Sequence, residues 1–543
     1  MDFRLPDDLV AYLAELDAFI DAEIAPLQAS DDNQRFFDHR REWARTDFEG
    51  GGLPRKEWED LLREAKRRAD RAGHFRFALP REYGGRDGSH LWMTVIREHL
   101  AAKGLGLHND LQNEHSIVGN HPLVLAMRDF GTPAQKERFI PGMLDGSVRM
   151  TFGLTEPAHG SDATHMDTRA VRETRDGVPG WRIDGEKMWT TGMHVASHCV
   201  LFARTSGDAG KARGITAFLV PADAPGVVIE EYLWTFNMPT DHPRVSFTNV
   251  WVPQSAVMGP EEGGLAIAQH FVHENRIRQA ASSLGAAHYC VQESVSYARG
   301  RKPFGRALAE NQAIQFPLVE LATQVEMLRL LIRKTAWEMD QMPKPEHEKR
   351  LSDKVSMCNY WANRLCCEAA DRAMQVHGGI GYSRHKPFEH IYRHHRRYRI
   401  TEGSEEIQLR KVAAHLFGYI GKPLAANQAI QFPLVELQTQ CEMVRALIHK
   451  TAWMMDVYGN FAASDKVSMC NFWANRLCCE AADRAMQVHG GLGYSRHKPF
   501  EHIYRHHRRY RITEGAEEIQ MRRVAGYMFG FMKQRAPKGV TED

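Results

Sequence analysis

The chain has almost no net charge: Lys and Arg number 70 against 68 Asp and Glu, +2 in all. No bulk field therefore favours a polyanionic partner such as nucleic acid. It also lacks any uninterrupted apolar run near the ~18 residues that a membrane-crossing helix needs, so no membrane span is expected. The first residues, MDFRLPDDLV, are acidic early and carry no long apolar core, which argues against a secretory signal. Cysteine is scarce and poorly arranged for a framework. The nine residues, an odd number, include the adjacent pairs Cys366–Cys367 and Cys478–Cys479, and no C-x-x-C spacing occurs. Adjacent residues of a helix point in different directions, so neither a metal site nor a disulfide framework is expected. A reducing, cytoplasmic compartment is the expectation. What is present, 43% hydrophobic and 25% charged residues over a length of 543, is ordinary globular composition. At roughly 150 residues per domain, three or four domains are the prior.

An internal repeat dominates the second half. NQAIQFPLVEL at Asn311–Leu321 recurs at Asn427–Leu437, an offset of 427 − 311 = 116, and DKVSMCN at Asp353 recurs at Asp465, an offset of 112. Between Asp353 and Tyr419, 67 positions differ from their copies at nine places, all mild, such as Tyr360/Phe472, Ile380/Leu492 and Ser404/Ala516. Two copies are too few for a solenoid. They indicate one late duplication of a domain fragment, covering the last helices but not the helix before them.

Periodicity divides the remainder. Residues 7–27 place Val10, Leu13, Leu16, Ile20 and Ile24 at helical spacing, and further helical stretches run to about Leu144. Residues 30–55 are charged and Gly-rich, which predicts an exposed excursion. From about Arg149 the chain turns to short alternating runs: MTFGLTE, TRAVRET, GWRIDGEKMWTT, CVLFART, GITAFLV, GVVIEEY and RVSFTNVWV. Turn signals such as RDGVPG separate them, predicting an antiparallel sheet or small barrel. From Gly263 long amphipathic helical segments return. The expected class is α+β multidomain: residues 1–148 helical, 149–260 β, 261–420 a helical bundle and 421–543 its partial copy.

Five motifs carry candidate chemistry, and each has a plainer reading beside it. GLTEPAHGSD (Gly153–Asp162) offers hydroxyls and close backbone N–H groups to a polar ring or phosphate, or is a turn between strands. KMWTTG (Lys187–Gly192) offers a Trp face and two Thr hydroxyls to a flat heterocycle, or packs an edge-strand Trp. GGIGY (Gly378–Tyr382) follows a helix and lacks the dinucleotide-fingerprint spacing, so it reads as a helix end. RHHRRYR (Arg393–Arg399, again Arg505–Arg511) could grip phosphates, although a basic helix face in a neutral chain is more commonly solvated or paired. In ITEGSEEIQ (Ile400–Gln408), Glu402 is either a cap or, in a dry pocket, a general base, while Glu405 and Glu406 read as ordinary helix-start carboxylates.

Together these runs resemble the acyl-CoA dehydrogenase family over residues 1 to about 420. LTEP-x-x-GSD at Leu154–Asp162, W-T-T at Trp189–Thr191, RKPFG at Arg301–Gly305, ENQAI at Glu310–Ile314, QVHGGIGY at Gln375–Tyr382 and TEGSEEIQ at Thr401–Gln408 stand in the family's order. The resemblance implies a helical N-terminal domain, a middle β-domain and a C-terminal four-helix bundle, with FAD between the last two. By match to the family motifs, Thr155 and Ser161 line the flavin and pyrophosphate region, and Trp189 packs on the isoalloxazine with Thr191 near its N5. Arg301, Gln312, Gln375 and Gly379 meet the adenylate half, and Ser404 and Glu406 touch FAD after the base. Ser161 and Arg276 match substrate contacts, Arg276 near the thioester end of an acyl-CoA. Glu402 matches the catalytic base. The activity implied is dehydrogenation of an acyl-CoA thioester in fatty-acid metabolism, with electrons passed to an electron-transfer flavoprotein and the protein working as a homo-oligomer. Rival readings are an acyl-CoA oxidase using O₂, a DNA-associated member of the superfamily, and a non-catalytic scaffold made by the duplication.

Three departures from the family pattern stand out. His159 replaces a small residue between the Pro and Gly of the first motif, and the excursion at 30–55 is long. In the duplicate, Phe417 aligns with Arg301 and Ala516 with Ser404, while Gln428, Gln487, Gly491 and Glu514 are retained. The duplicate carries the same self-complementary faces as the first copy, so it can fill within one chain the place of a partner's bundle. That predicts a dimer rather than a tetramer, with Glu514 buried but idle.

Overall fold

Each of the seven alternating runs holds a β-strand: Met150–Gly153, Arg169–Arg175, Val178–Met188, His198–Arg204, Ile215–Pro221, Val227–Tyr232 and Pro243–Pro253. The computed structural model describes residues 3–110, 115–235, 237–418, 427–495 and 497–533. Two units make up the chain, one of Ala18–Ser89 and Gly106–Asn275, the other of Met1–Asp17, His90–Leu105 and Arg276–Asp543.

In the first unit the seven strands join Val257–Met258 in one curled, mostly antiparallel sheet. Strand Val178–Met188 pairs antiparallel with Pro243–Pro253, setting Lys187 opposite Val245 and Met188 opposite Arg244. Met150–Gly153 and Arg169, the first residue of Arg169–Arg175, run parallel to their neighbour, His198–Arg204. One face buries Trp181, Ile183, Leu201, Phe218, Val245 and Phe247. Val200, Phe202 and Leu219 pack instead with Val124, Leu125 and Met127 of helix Pro122–Phe130 and with Phe139 and Ile140 of helix Pro133–Asp145. The latter helix starts where its sequence says it should: Thr132 and Gln135 close a capping box before Pro133, and Gly146 at φ +82° ends it.

Two expectations need correction here. The first helix, Asp7–Phe19, buries Leu9, Tyr12 and Leu16, and its buried row continues through Ile20 and Ile24, while Val10 faces solvent. The Leu9 register wins because it adds the Tyr12 ring to the covered face. The excursion at 30–55 is not simply exposed: Phe36, Arg41, Arg45 and Thr46 are buried, and the Arg45 guanidinium lies 4.1 Å from the Trp58 ring centroid. Cation–π contact and the bond from Arg45 Nε to the Phe36 carbonyl at 2.7 Å satisfy a charge that composition alone reads as surface.

The second unit is helical. Helix His90–Ala102 is fixed by two ends of one partner. Asp340 accepts the His90 and Leu91 amides at 2.7 and 2.9 Å, and Glu98 is paired with Arg329 and Arg333 of the same helix, Gln312–Asp340. Copy one of the repeat comprises helices Gln312–Asp340, Ser352–His377, Phe388–Tyr398 and Glu405–Phe417. Copy two comprises Gln428–Tyr458, Ser464–Tyr494, Phe500–Tyr510 and Glu517–Met528.

The two copies pack reciprocally. The first helices face each other, the last helix of copy one lies on the first of copy two, and the last helix of copy two lies on the first of copy one. Helix Gly264–Gly300, which the sequence does not repeat, packs on copy one through Ser283, Tyr289 and Tyr297. The identical sequence FEHIYRHHRRY shows the effect. At 388–398 it buries Phe388, His390, Ile391, His394, His395 and Tyr398, and at 500–510 it buries nothing. For the same reason Glu514 is exposed, not buried as the sequence suggested.

Candidate functional site

In the sheet unit, candidate residues gather on a loop and the strand end beside it. The Thr155 carbonyl accepts the Met188 amide at 2.8 Å, which ties the LTEP loop to the strand that leads into Trp189. Beneath that bond lies a buried ion pair, Lys187 Nζ to Glu156 Oε1 at 2.7 Å. Glu156 also accepts the Asp167 and Thr168 amides at 2.6 and 2.9 Å. Burial opposes the carboxylate, but Lys187 and these donors keep it below its ordinary range, whereas burial pulls Lys187 down to about 8. Both residues lie inside the motifs GLTEPAHGSD and KMWTTG, yet neither stands out there as a candidate. Their signal was opposite charges on adjoining runs that otherwise bury apolar groups.

On that foundation Trp189 takes the left-handed conformation at φ +62° and leaves its indole 46% exposed. The Thr191 hydroxyl is exposed too, and His242 Nδ1 stands 2.8 Å from it. Ser161 is exposed and Thr155 half-buried. His159, the odd residue of the motif, pairs with Asp167 at 2.9 Å.

In the helical unit, the base candidate sits on a strained turn. Glu402 has φ +58°, costly for a residue with a Cβ, and Gly403 has φ +90°. A Cβ on Gly403 would meet Arg276 Nη2 at 2.7 Å, so only glycine fits there. Arg276, 7% exposed, donates to the Glu402 carbonyl oxygen from Nε at 2.9 Å and Nη2 at 2.6 Å. Gln408 donates to the Gly403 carbonyl at 2.9 Å. The Arg276 guanidinium thus grips the backbone of the base turn. Ser404 begins the following helix without capping it through its hydroxyl, and Glu406 is exposed. Glu405 departs from the expected helix-start role. It is buried and bridges Arg364 at 2.5 Å and Arg399 at 2.7 Å.

Arg301, Gln312, Gln375 and Gly379 are all exposed, with Gln312 opening its helix and Gly379 a short turn of helix. These residues fit the flavin dinucleotide that the resemblance implies. An open aromatic face with a held hydroxyl beside it suits a flat polar ring, and an exposed guanidinium, amides and helix-start N–H groups suit an adenylate and pyrophosphate. The exposed carboxylate of Glu406 is the one member that a phosphate would repel.

The chain matches the sequence profiles of the acyl-CoA dehydrogenase N-terminal domain at residues 30–147, the middle domain at 151–250, and the C-terminal domain twice, at 262–417 and 419–529. A 3-(aryl)acrylate reductase of Clostridium sporogenes is 33% identical over 362 residues, 66% of this chain and 91% of the relative. The caffeyl-CoA reductase–Etf complex subunit CarC of Acetobacterium woodii is 30% identical over 339 residues, 62% of this chain and 85% of the relative. The crystal structure of a Bacillus anthracis acyl-CoA dehydrogenase complexed with FAD superposes with a TM-score of 0.75 over 97% of this chain and 96% of that one. At 18% identity that likeness speaks for the fold alone, and it takes in the second copy of the repeat. Three matched domains in family order, one of them present twice, place this chain in the acyl-CoA dehydrogenase family of oxidoreductases.

Proposed function

We propose that the protein oxidises a fatty or related acyl-CoA thioester to its trans-2-enoyl-CoA with FAD as cofactor and Glu402 as general base, within a four-part chain divided at 148, 260 and 420. The observation that carries this reading is the Glu402 turn, a carboxylate-bearing residue held in a strained conformation by a buried arginine and a buried glutamine. A thioester α-proton is weakly acidic, so its removal needs a carboxylate fixed in one place and shielded from water. Glu402 takes that proton, and donors on the thioester carbonyl, the Glu402 backbone N–H among them, stabilise the charge that develops. Bound FAD supplies the acceptor for the β-hydrogen and its electron pair. Trp189 and Thr191 hold the ring, Thr155 and Ser161 the adjoining stretch with Ser161 also toward the substrate, and Arg301, Gln312, Gln375, Gly379 and Ser404 the remainder. Arg276 acts here through the turn it grips.

Electrons pass on to an electron-transfer flavoprotein in this reading, supported by a relative whose name places it in an Etf complex. All nine cysteines are free, in keeping with a cytoplasmic location, and no helix among the described residues is long and apolar enough to cross a membrane. The reciprocal packing of the two copies supports a dimer. Sedimentation to a tetramer would contradict it. The test of the activity is anaerobic mixing with a panel of acyl-CoA thioesters: at least one should bleach the flavin absorbance, and the reduced flavin should react only slowly with O₂, so that aerobic turnover makes little peroxide. A flavin that no thioester bleaches refutes the reading, and rapid, sustained peroxide-forming turnover in air favours the oxidase.

A further inference from the structure

Behind the base turn runs a chain of side-chain hydrogen bonds with one consistent direction. The Ser283 hydroxyl donates to Asn363 Oδ1 at 2.6 Å and stands 2.7 Å from His395 Nδ1, so that nitrogen is the donor between them. Asn363 Nδ2 donates to Asn359 Oδ1 at 3.0 Å and to the Tyr398 carbonyl at 3.2 Å. From the other side Gln408 Nε2 donates to the same Asn359 oxygen at 2.9 Å and to the Gly403 carbonyl at 2.9 Å. Asn359 Nδ2 in turn donates to the Arg276 carbonyl at 2.8 Å and to Gln279 Oε1 at 3.3 Å. Asn359, Asn363, Ser283 and Gln408 are completely buried. The amides of Asn359 and Asn363 are satisfied at both ends, which is what lets such a network rigidify its surroundings, while Gln408 Oε1 and His395 Nε2 at its margins have no partner among the described residues.

Asn359 is therefore one bond away from each of the two groups that grip the base turn. Its amide nitrogen holds the backbone of Arg276, whose guanidinium holds the Glu402 carbonyl. Its oxygen holds Gln408, whose amide holds the Gly403 carbonyl. Copy two provides the comparison. Asn471, Asn475 and Gln520 are the same residues in the same local sequence, but the helix that carries Arg276 and Ser283 has no second copy in the sequence. Asn475 turns back onto the Asn471 carbonyl at 2.9 Å, and Gln520 donates to the carbonyls of Glu514 at 2.7 Å and Gly515 at 3.4 Å. The turn keeps its shape, with Glu514 at φ +59°, but the arginine grip and the asparagine bridge are gone.

We propose that Asn359 is a positioning residue for the base, coupling Arg276 and Gln408 so that the Glu402 carboxylate meets the substrate α-carbon in one orientation. This rests on Glu402 being the base. Asn359 is buried among protein groups and is not offered as a substrate contact, so its loss should act on the chemical step and not on binding. The test uses the full-length holoenzyme and two variants, Asn359→Leu and, should that one fold poorly, Gln408→Met, with Asn471→Leu and Gln520→Met as matched controls in copy two. The limiting rate of flavin reduction should fall about ten- to a hundredfold, as expected for a displaced reacting group. The dissociation constant for the acyl-CoA should stay within about threefold on the same argument, the pH midpoint of reduction should move, and the controls should match wild type. Unchanged limiting rates in both copy-one variants, or equal losses in the controls, overturn the proposal. A wild-type protein that no thioester reduces would refute the activity instead. The inference would then be read from hydrogen exchange of the amides at 402–405, which must speed up in both copy-one variants while those at 514–517 stay as they are.

Discussion

Arg364 Nη1 donates to Glu436 Oε1 at 3.0 Å across the boundary between the two copies, and the counterpart of Arg364, Arg476, donates to Glu320 at the same 3.0 Å. Each arginine also reaches the glutamate that opens the last helix of its own copy, Glu405 or Glu517. Such reciprocity is what two subunits related by a two-fold axis display, here between halves of one chain. It is broken where the Tyr360 hydroxyl meets Thr439 Oγ1 at 2.9 Å, since the counterpart of Tyr360 is Phe472, and where Lys450 pairs with Glu326 while its counterpart Lys334 pairs with Glu338.

Arg364→Met should therefore destabilise the helical unit by about 2 kcal/mol. That is below the ~3–5 kcal/mol for breaking a wholly buried pair, because Arg364 keeps 22% exposure and Glu405 retains Arg399. A denaturant midpoint for the variant equal to wild type would show that the pairs between copies do not hold them together.

Cofactor retention should separate the two residues at the strand end. Trp189→Ala should lose FAD on gel filtration, since it removes the exposed aromatic face. Thr191→Val should keep FAD but shift its absorbance and potential, and His242→Gln should shift them in the same sense because His242 holds the Thr191 hydroxyl. Normal flavin content and spectra in all three variants would place the ring elsewhere.

His395 makes stability depend on pH. Complete burial, with Arg397 adding to it, holds its imidazole at about 3, against 6.5 for an ordinary histidine. A group with a depressed folded pKa and a neutral native form stabilises the fold fully above pH 6.5. It gives up that contribution as pH falls from 6.5 toward 3, because the unfolded chain takes the proton first. One group contributes a slope of at most ~1.4 kcal/mol per pH unit. His395→Asn should flatten the stability curve over this window. Equal slopes in wild type and His395→Asn would contradict the burial argument.

Much of this was legible in the sequence because the informative patterns are local. The seven runs became strands because short apolar stretches between turn signals report a pleat directly, though His198–Arg204 and Ile215–Pro221 are buried on both faces, and the repeat announced two similar helical sets. The strained position of Glu402 was foreshadowed by the Gly that follows it. What escaped depends on partners distant in the chain. Nothing near Asn359 says that its side chain will meet Arg276, and the FEHIYRHHRRY segments cannot reveal which copy is covered. Glu514 was misjudged for that reason, since its burial hangs on a helix that the duplication did not carry. Arg45 misled because charge is a poor guide to burial where an aromatic ring waits beneath, and Arg41 because a backbone carbonyl, that of Phe37, accepts from its guanidinium.

On the reading proposed above, copy one does the chemistry, through Glu402. Anaerobic stopped-flow reduction of the flavin by an acyl-CoA, in Glu402→Gln and Glu514→Gln side by side, measures it directly. Glu402→Gln should retain FAD and reduce it some 10²–10⁴-fold more slowly, the roughly expected worth of a general base, while Glu514→Gln should keep the wild-type rate. A Glu402→Gln enzyme that keeps more than about a tenth of the wild-type rate, outside that range, would contradict the claim, as would a loss that appears in Glu514→Gln instead.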